Sequence, residues 1–354
     1  MSRFFSNKFS ALTPYTPGEQ PKDMKYIKLN TNESPFPPSK KAQAAAEKAA
    51  ERLMLYSDPE CRDLVAAACE VFGVEKDEIL FTNGSDEILN FAFMAFCDEE
   101  HPAIFPDITY GFYPVFAALN GVPYKTVPLK EDFSIDINDY KGHKGAIFIA
   151  NPNAPTGIAL TIEQIEKLIL ANPESVVIID EAYVDFGAQS AVSLIKKYDN
   201  LLVTQTFSKS RSMAGARLGF GIGCAELIRD LNTIKYSTNP YNVNSMTAAA
   251  GIGVLSDEEY TRENCEKIKE NREYTLSQLR ALGFYATDSL ANFVFAKSDK
   301  ISGEALYSIL KERGILVRHF STPRLCEYNR ITIGSREEME TLIKEIKKII
   351  KEKV

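Results

Sequence analysis

The sequence predicts an α/β fold, with a large, mainly parallel sheet flanked by helices and a smaller α+β part after it. Short apolar runs near residues 79, 103, 146, 177 and 202 read as buried strands, and helix-like segments separate most of them. That alternation describes a predominantly parallel sheet covered by helices on both faces. From about residue 225 the rhythm gives way to long helices (245–280), and 283–354 mixes strands and helices without regular crossovers. The expected division is an N-terminal arm over 1–29, a large domain over 30–255 and a small C-terminal domain over 256–354.

With 354 residues and 45% hydrophobic content, the chain can bury one large core or two modest ones. Its net charge of -7 argues against nucleic acid or an anionic membrane as partner, yet leaves room for a local basic pocket. No apolar run approaches the length of a membrane span, and Met-Ser-Arg-Phe-Phe-Ser-Asn-Lys at the start lacks a signal-peptide core. The six cysteines (61, 69, 97, 224, 265, 326) form no CxxC and no regular framework, so they read as thiols in a reducing cytoplasm. Histidines at 101, 143 and 319 are too scattered for a metal cluster, and no metal is expected.

Taken in order, Leu12-Thr-Pro14-Tyr15-Thr-Pro17-Gly18 is held extended by its prolines. Tyr15 then belongs either to a disordered tail or to an arm laid over a cleft. Lys28-Leu-Asn30-Thr-Asn32-Glu33-Ser-Pro35 is a polar loop before an alanine-rich helix over 40–54. Tyr56 lies in the turn Tyr56-Ser-Asp58-Pro59, as a surface side chain or one with a purpose, and a helix follows over 61–72. The strand Ile79–Phe81 runs into Asn83-Gly84-Ser85-Asp86-Glu87, where Ser85 is expected to cap a helix over 86–97. Free N–H groups at such a helix start suit a phosphate. Asp86 and Glu87 suit the helix dipole but would repel a phosphate, so the amides and the Ser85 hydroxyl must do the binding.

The strand at 103 leads to an aromatic turn, Thr109-Tyr110-Gly111-Phe-Tyr113, ahead of a helix over 112–120. An aromatic there either stacks on a flat heterocycle or joins the core. Gly145–Ala150 is a buried-type strand closed by Asn151-Pro-Asn153-Ala154-Pro155-Thr156-Gly157, and a helix over 161–171 starts at Thr161. The apolar strand Val176–Ile179 ends in Asp180, with Tyr183 just beyond. A carboxylate at the tip of a buried strand is costly unless paired or engaged by a ligand. Leu201-Leu-Val203 then leads to Ser208-Lys209-Ser-Arg211 and on to Arg217. Ligands of α/β sheets bind outside the carboxyl ends of the strands. Lys209 there is either one more solvated surface lysine or, held in a cleft among cations such as Arg211 and Arg217, an amine that can become a nucleophile toward a carbonyl. Further strands are expected at Phe293–Phe295, Ile315–Arg318 and Arg330–Ile333, before a charged final helix from 336.

Strand-end loops thus supply an amine (Lys209), a carboxylate (Asp180), a phenol (Tyr183), a stacking aromatic (Tyr110), a phosphate-binding helix start (Gly84-Ser85) and a second cation (Arg217). That set has the chemistry pyridoxal phosphate requires: an imine-forming lysine, an acid on the pyridine nitrogen, a phenol on the ring oxygen and donors for the phosphate. The chain has no P-loop, and Gly219, Gly221 and Gly223 have the wrong spacing for a dinucleotide fingerprint.

Pro14-Tyr15-Thr-Pro17-Gly18, Asn30-Thr-Asn32-Glu33, Tyr56-Ser-Asp58-Pro59, Asn83–Glu87, Asn151–Gly157, Asp180-Glu-Ala-Tyr183, Ser208-Lys209 with Arg217, and Arg330–Gly334 span nearly the whole chain. Together they resemble the fold-type I pyridoxal-phosphate aminotransferases (class II family), and within them the histidinol-phosphate aminotransferase family. The Asp-x-x-Tyr and the Lys-to-Arg interval are shared widely and specify the cofactor; the Pro-Tyr-x-Pro-Gly arm and the Asn-x-Asn-Glu loop are more specific. The resemblance implies that Lys209 binds the cofactor aldehyde and shuttles the proton, Asp180 pairs the pyridine nitrogen, Tyr183 the ring oxygen, and Tyr110 stacks on the ring. It places Gly84, Ser85, Asp86, Ser208 and Arg217 around the phosphate, with Tyr56 reaching in from a second subunit. Arg330, Arg318, Tyr15 and Asn30 would bind substrate. A cytoplasmic homodimer is implied, the 1–29 arm sharing in the dimer contact, acting on small molecules and not on nucleic acid or membrane.

One departure stands out. The family's loop carries Asn immediately before Pro-Thr-Gly, and here that position is Ala154. Either Asn153 reaches round to the ring oxygen or Tyr183 acts alone. The implied reaction is amino transfer from histidinol phosphate to 2-oxoglutarate in histidine biosynthesis. The competing readings are a threonine-phosphate decarboxylase-like lyase, a broad aromatic aminotransferase, and the ligand-sensing part of a transcription regulator.

Overall fold

The structure, a computed structural model, describes residues 2–10 and 12–353. In chain order its first half holds β1 (Ile27–Lys28), α1 (Lys40–Ala50), α2 (Arg62–Phe72), β2 (Ile79–Thr82), α3 (Ser85–Phe96), β3 (Ala103–Pro106), α4 (Tyr113–Asn120), β4 (Tyr124–Val127), β5 (Ala146–Ala150) and α5 (Ile162–Leu170). The middle holds β6 (Val176–Asp180), β7 (Leu201–Thr206), β8 (Gly219–Gly223), α6 (Ala225–Thr238), α7 (Ser245–Leu255) and α8 (Glu258–Ala281). The end holds β9 (Phe284–Ala286), β10 (Phe293–Ser298), α9 (Gly303–Glu312), β11 (Ile315–Leu316), β12 (Arg318–His319), β13 (Asn329–Thr332) and α10 (Arg336–Lys353).

The large sheet has the order β2-β8-β7-β6-β5-β3-β4. Its pairs are parallel except where β8 runs antiparallel between β2 and β7. The unbroken apolar runs now have a cause, because alternate residues of one strand serve two cores. Ile147, Ile149, Val177, Ile179 and Val203 pack on one face with α2, α5 and α7. Phe148, Ile178 and Leu202 pack on the other with α3, α4 and α6. β8 escaped the sequence reading because its three glycines carry little strand signal. A side chain at Gly219 would run into the backbone of Gly84 and Ser85, so this glycine lets α3 start directly against the sheet.

Several expectations shift by local chemistry. The first helix stops at Ala50 rather than 54, and Leu53, Met54 and Leu55 stand exposed in the turn that follows. Ser85 is the first residue of α3 and not its cap; Gly84 takes that place at φ +76°, a conformation that suits glycine. Thr161 does cap α5, in a reciprocal arrangement with Gln164. The helical stretch 245–280 is two helices parted at Ser256-Asp257. Residues 315–318 split between two sheets: β11 pairs in parallel with β1, whereas β12 joins the antiparallel sheet β12-β13-β10-β9. This second sheet has its own core with α8, α9 and α10, built on Leu276, Leu279, Leu306, Leu310, Leu342 and Ile346. Residues 27–29 are thereby bound to the C-terminal sheet, since Leu29 also accepts the amide of Thr332.

Candidate active site

Because β8 is the antiparallel exception, the carboxyl ends of β2, β3, β5, β6 and β7 all emerge on one edge of the sheet. A cavity of about 260 Å³ lies there, lined by Ser85, Asp86, Tyr110, Ala154, Asp180, Tyr183, Ser208, Lys209 and Arg217 among others. Lys209 Nζ donates to the Thr31 carbonyl at 3.3 Å and sits 5.9 Å from the centre of the Tyr183 ring. Asp180 is 4% exposed; its two oxygens accept from Tyr113 Oη at 3.0 Å and Thr204 Oγ1 at 3.3 Å. Burial pushes its pKa up to about 6, against the Tyr113 hydrogen bond and with the help of the nearby Asp86 charge. Such a carboxyl gains from a cationic donor in the cavity.

Gly84 offers α3 no side-chain cap, which leaves the first-turn amides without that partner at the end of the helix where Ser85 and Asp86 line the cavity. Arg217 spans this end, with Nη2 3.0 Å from Asp86 Oδ2 and Nη1 donating to Ser208 Oγ at 3.3 Å. A side chain at Gly84 would strike that guanidinium, so glycine is needed for the approach. Asp86 also accepts from Tyr110 Oη at 2.6 Å. Its charge is thus shared with Arg217 and Tyr110, which offsets part of the repulsion foreseen toward a phosphate.

A second cavity of about 680 Å³ shares Thr31, Tyr110, Ala154, Tyr183 and Lys209 with the first and extends to Tyr15, Asn30, Arg318 and Arg330. Arg318 and Arg330 are directly opposite each other in the β12–β13 ladder. Like charges so placed are destabilising without an anion between them. Arg330 donates to the Asn30 carbonyl at 3.0 Å and lies 5.4 Å over Phe293, but its Nε is buried without a partner. Burial holds this guanidinium below its ordinary pKa. Asn30 Nδ2 donates to the Glu19 carbonyl at 2.9 Å, while its Oδ1 is also buried and unpartnered. Tyr15 packs on Phe112 with ring centres 4.4 Å apart and lines this cavity.

Three residues singled out in the sequence stand elsewhere. Asn153 does not reach round: its amide is used up on Thr109, the Ile108 carbonyl and Thr156, and Ala154 alone of the pair lines the cavities. Arg211 turns away to pair with Asp185 at 3.0 Å and to lie over Phe72 and Phe207. Tyr56 is 85% exposed, stacked on Tyr241, and is not among the residues lining either cavity. Conversely, the sequence reading missed Tyr113 and Thr204, which hold Asp180, and Asn32, whose Nδ2 donates to Tyr183 Oη at 3.0 Å. Tyr113 lay in the aromatic turn already noted, and Asn32 in the polar loop. Thr204 gave no signal beyond its place in a strand.

The aminotransferase class I and II family matches residues 24–346, and the chain belongs to that family. It is 50% identical over 353 residues to the histidinol-phosphate aminotransferase of Brachyspira hyodysenteriae, covering 99% of this chain and 100% of that one. It is 47% identical over 351 residues to that of Clostridium botulinum (strain Kyoto / Type A2), covering 99% of each. Within the family the chain stands with the histidinol-phosphate aminotransferases. The crystal structure of the Clostridium acetobutylicum histidinol-phosphate aminotransferase superposes with a TM-score of 0.84 at 27% identity, over 92% of this chain and 99% of that one. That of the Sinorhizobium meliloti enzyme, in complex with pyridoxal-5'-phosphate, has the same fold, with a TM-score of 0.90 at 23% identity over 100% and 99%.

Proposed function

We propose that this aminotransferase moves the amino group of histidinol phosphate to 2-oxoglutarate, giving imidazole-acetol phosphate and glutamate in histidine biosynthesis, with pyridoxal phosphate as cofactor. The observation that carries the reading is the pairing of the two cavities. One offers an amine, a buried acid, a phenol and an uncapped helix start; the other, joined to it, offers Arg318 facing Arg330. One donor with a phosphate and one acceptor with a second carboxylate can share that dication in turn.

The residues fit the cofactor. Asp180 needs a cationic donor, the first turn of α3 has free amides, and Gly84 leaves room for the Arg217 guanidinium beside them. When bound, pyridoxal phosphate supplies an electron sink for the bond broken at the substrate's α-carbon. Lys209 would supply the amine that holds the aldehyde and the base that takes up and returns the substrate's α-proton. Asp180, oriented by Tyr113 and Thr204, would keep the pyridine nitrogen protonated. Tyr183 would donate to the ring oxygen, and Tyr110, held in place by Asp86, would stack on the ring. Ser85, Ser208, Arg217 and the α3 amides neutralise the phosphate, with Gly84 giving them access. Arg330, Arg318, Asn30 and Tyr15 bind the far end of either substrate and exclude water from it.

A homodimer completes the reading. Leu53, Met54, Leu55 and Tyr56 form an exposed apolar group that a second copy would cover, bringing Tyr56 to the neighbour's phosphate. No helix among the described residues is long and apolar enough to cross a membrane. A cytoplasmic place for the enzyme goes with the histidine-biosynthesis reading proposed above.

The test is a visible absorption spectrum of the purified protein before and after histidinol phosphate is added without a keto acid. Bleaching of the cofactor band, absent with threonine phosphate and weaker with phenylalanine, is the expected result. A band unmoved by histidinol phosphate that responds to another amine would keep the cofactor and discard the substrate.

A further inference from the structure

We infer that Asn32 is a positioning residue for the cofactor's ring oxygen, acting through Tyr183 and taking over the task of the donor missing at Ala154. The inference rests on the proposed cofactor reading. Asn32 is 1% exposed and stands at φ +56°, a left-handed conformation that few residues other than glycine adopt and asparagine tolerates best. Every group it carries is engaged. Its N–H donates to Thr332 Oγ1 at 2.9 Å, and its carbonyl accepts from Asn292 Nδ2 at 2.9 Å. Thr332 Oγ1 in turn donates to Asn32 Oδ1 at 3.0 Å.

That last bond sets which way the amide faces. The Thr332 hydroxyl oxygen is already occupied by the Asn32 N–H, so its hydrogen goes to Oδ1, and Nδ2 is left toward Tyr183. Nδ2 donates to Tyr183 Oη at 3.0 Å. A phenol oxygen that accepts there keeps its own hydrogen for another acceptor, and chained donors strengthen one another. Tyr183 lines both cavities, so that hydrogen is available to the ring oxygen. Ala154 offers only a methyl group to the same cavities, and the Asn153 amide is committed elsewhere. The donor on the phenol therefore comes from the opposite wall, anchored on β13.

The experiment is a pH titration of the visible band of the holoenzyme, scored by its midpoint. A donor on the ring oxygen draws density from it and lets the neighbouring C=N nitrogen lose its proton at lower pH; weakening the donor raises the midpoint. Tyr183→Phe is expected to raise it by roughly 0.5 to 1 pH unit. Asn32→Gly keeps the left-handed backbone and removes the donor without adding a charge near the imine. It should raise the midpoint, by no more than Tyr183→Phe does, and add nothing in the Tyr183→Phe background. If Tyr183→Phe moves the midpoint and Asn32→Gly does not, or if the two shifts add, the inference is overturned while the cofactor reading stands. If Tyr183→Phe itself has no effect, the role of Tyr183 fails and the inference falls with it. Should Asn32→Gly not fold, Thr332→Val frees the Asn32 amide to turn, whereas Thr332→Ser keeps the hydroxyl. The valine variant should raise the midpoint and the serine variant should not; equal midpoints overturn the inference.

Discussion

The two cavities of the site differ in how their charges are satisfied. At the strand ends nearly every polar group already has a protein partner: Asp86 with Arg217 and Tyr110, Asp180 with Tyr113 and Thr204, Tyr183 with Asn32, and Lys209 with the Thr31 carbonyl. At the far end two arginines face each other, Arg330 Nε and Asn30 Oδ1 are buried without partners, and no carboxylate among the described residues bonds Arg330. The first arrangement is pre-organised, so its groups hold their geometry before anything binds. The second is unbalanced, and a ligand gains there by supplying the missing charge. On the proposed reading, one end keeps a resident group and the other exchanges visitors.

The largest expected effect breaks the first half of that contrast. Lys209→Ala should remove the visible cofactor band and transamination together, because among the described residues no other amine lines the first cavity. Spectra and a coupled glutamate assay measure both, and a variant that keeps full activity would sink the assignment of the site. Next comes Arg330→Met, which probes the second half. Losing a charge-assisted contact should lower kcat/KM by roughly 10- to 100-fold, for phosphate donor and keto acid alike. The same change should raise the melting temperature of the ligand-free protein, since relieving opposed like charges contributes on the order of 1 kcal/mol. A variant less stable than the parent would show that the far end is balanced after all.

How much of this was legible in the sequence follows the same divide. The strand-end residues announced themselves because each is chemically out of place: an acid ending the run Val176–Ile179, a lysine after Leu201–Val203, and a glycine before the Ser85 helix. The residues that donate to Asp180 did not, because Thr204 and Tyr113 are ordinary residues for a strand and a helix start. Only the pairing of β6 with β7, which sets Asp180 beside Thr204, gives them a task. The split of residues 315–318 was equally hidden. It depends on β1, from almost 300 residues earlier, pairing with β11, a contact no local pattern encodes. β8 was missed because glycine lowers strand propensity, although close approach to α3 is what its glycines permit. Asn153 misled for the opposite reason: it has the right chemistry one position away, and the backbone turns its amide into the wall.

The smallest expected effect sharpens the idea that the pre-organised end holds one deliberate imbalance. Burial raises the Asp180 pKa to about 6 from 3.8, so the folded protein binds its proton more tightly than the unfolded chain does. Below pH 4 both states hold the proton and the group costs nothing. As pH rises from 4 through 6 the unfolded chain releases it first, so this group lowers stability across that window, and the loss is complete above it. Asp180→Asn removes the titration but also weakens the bonds from Tyr113 and Thr204. Relative to the parent apoprotein, the variant should therefore gain stability between pH 4 and pH 8, by on the order of 2 kcal/mol. Glu181, buried beside it and pushed up to about 7, titrates in both proteins and cancels from the difference. Melting curves of the two apoproteins at the two pH values give the sign directly. Cofactor added at pH 8 should erase the variant's advantage, because the pyridinium then pairs with the carboxylate that asparagine cannot replace. A difference that stays flat with pH would mean that Tyr113 and Thr204 alone satisfy Asp180, leaving the cavity no unmet charge to draw a cationic ring.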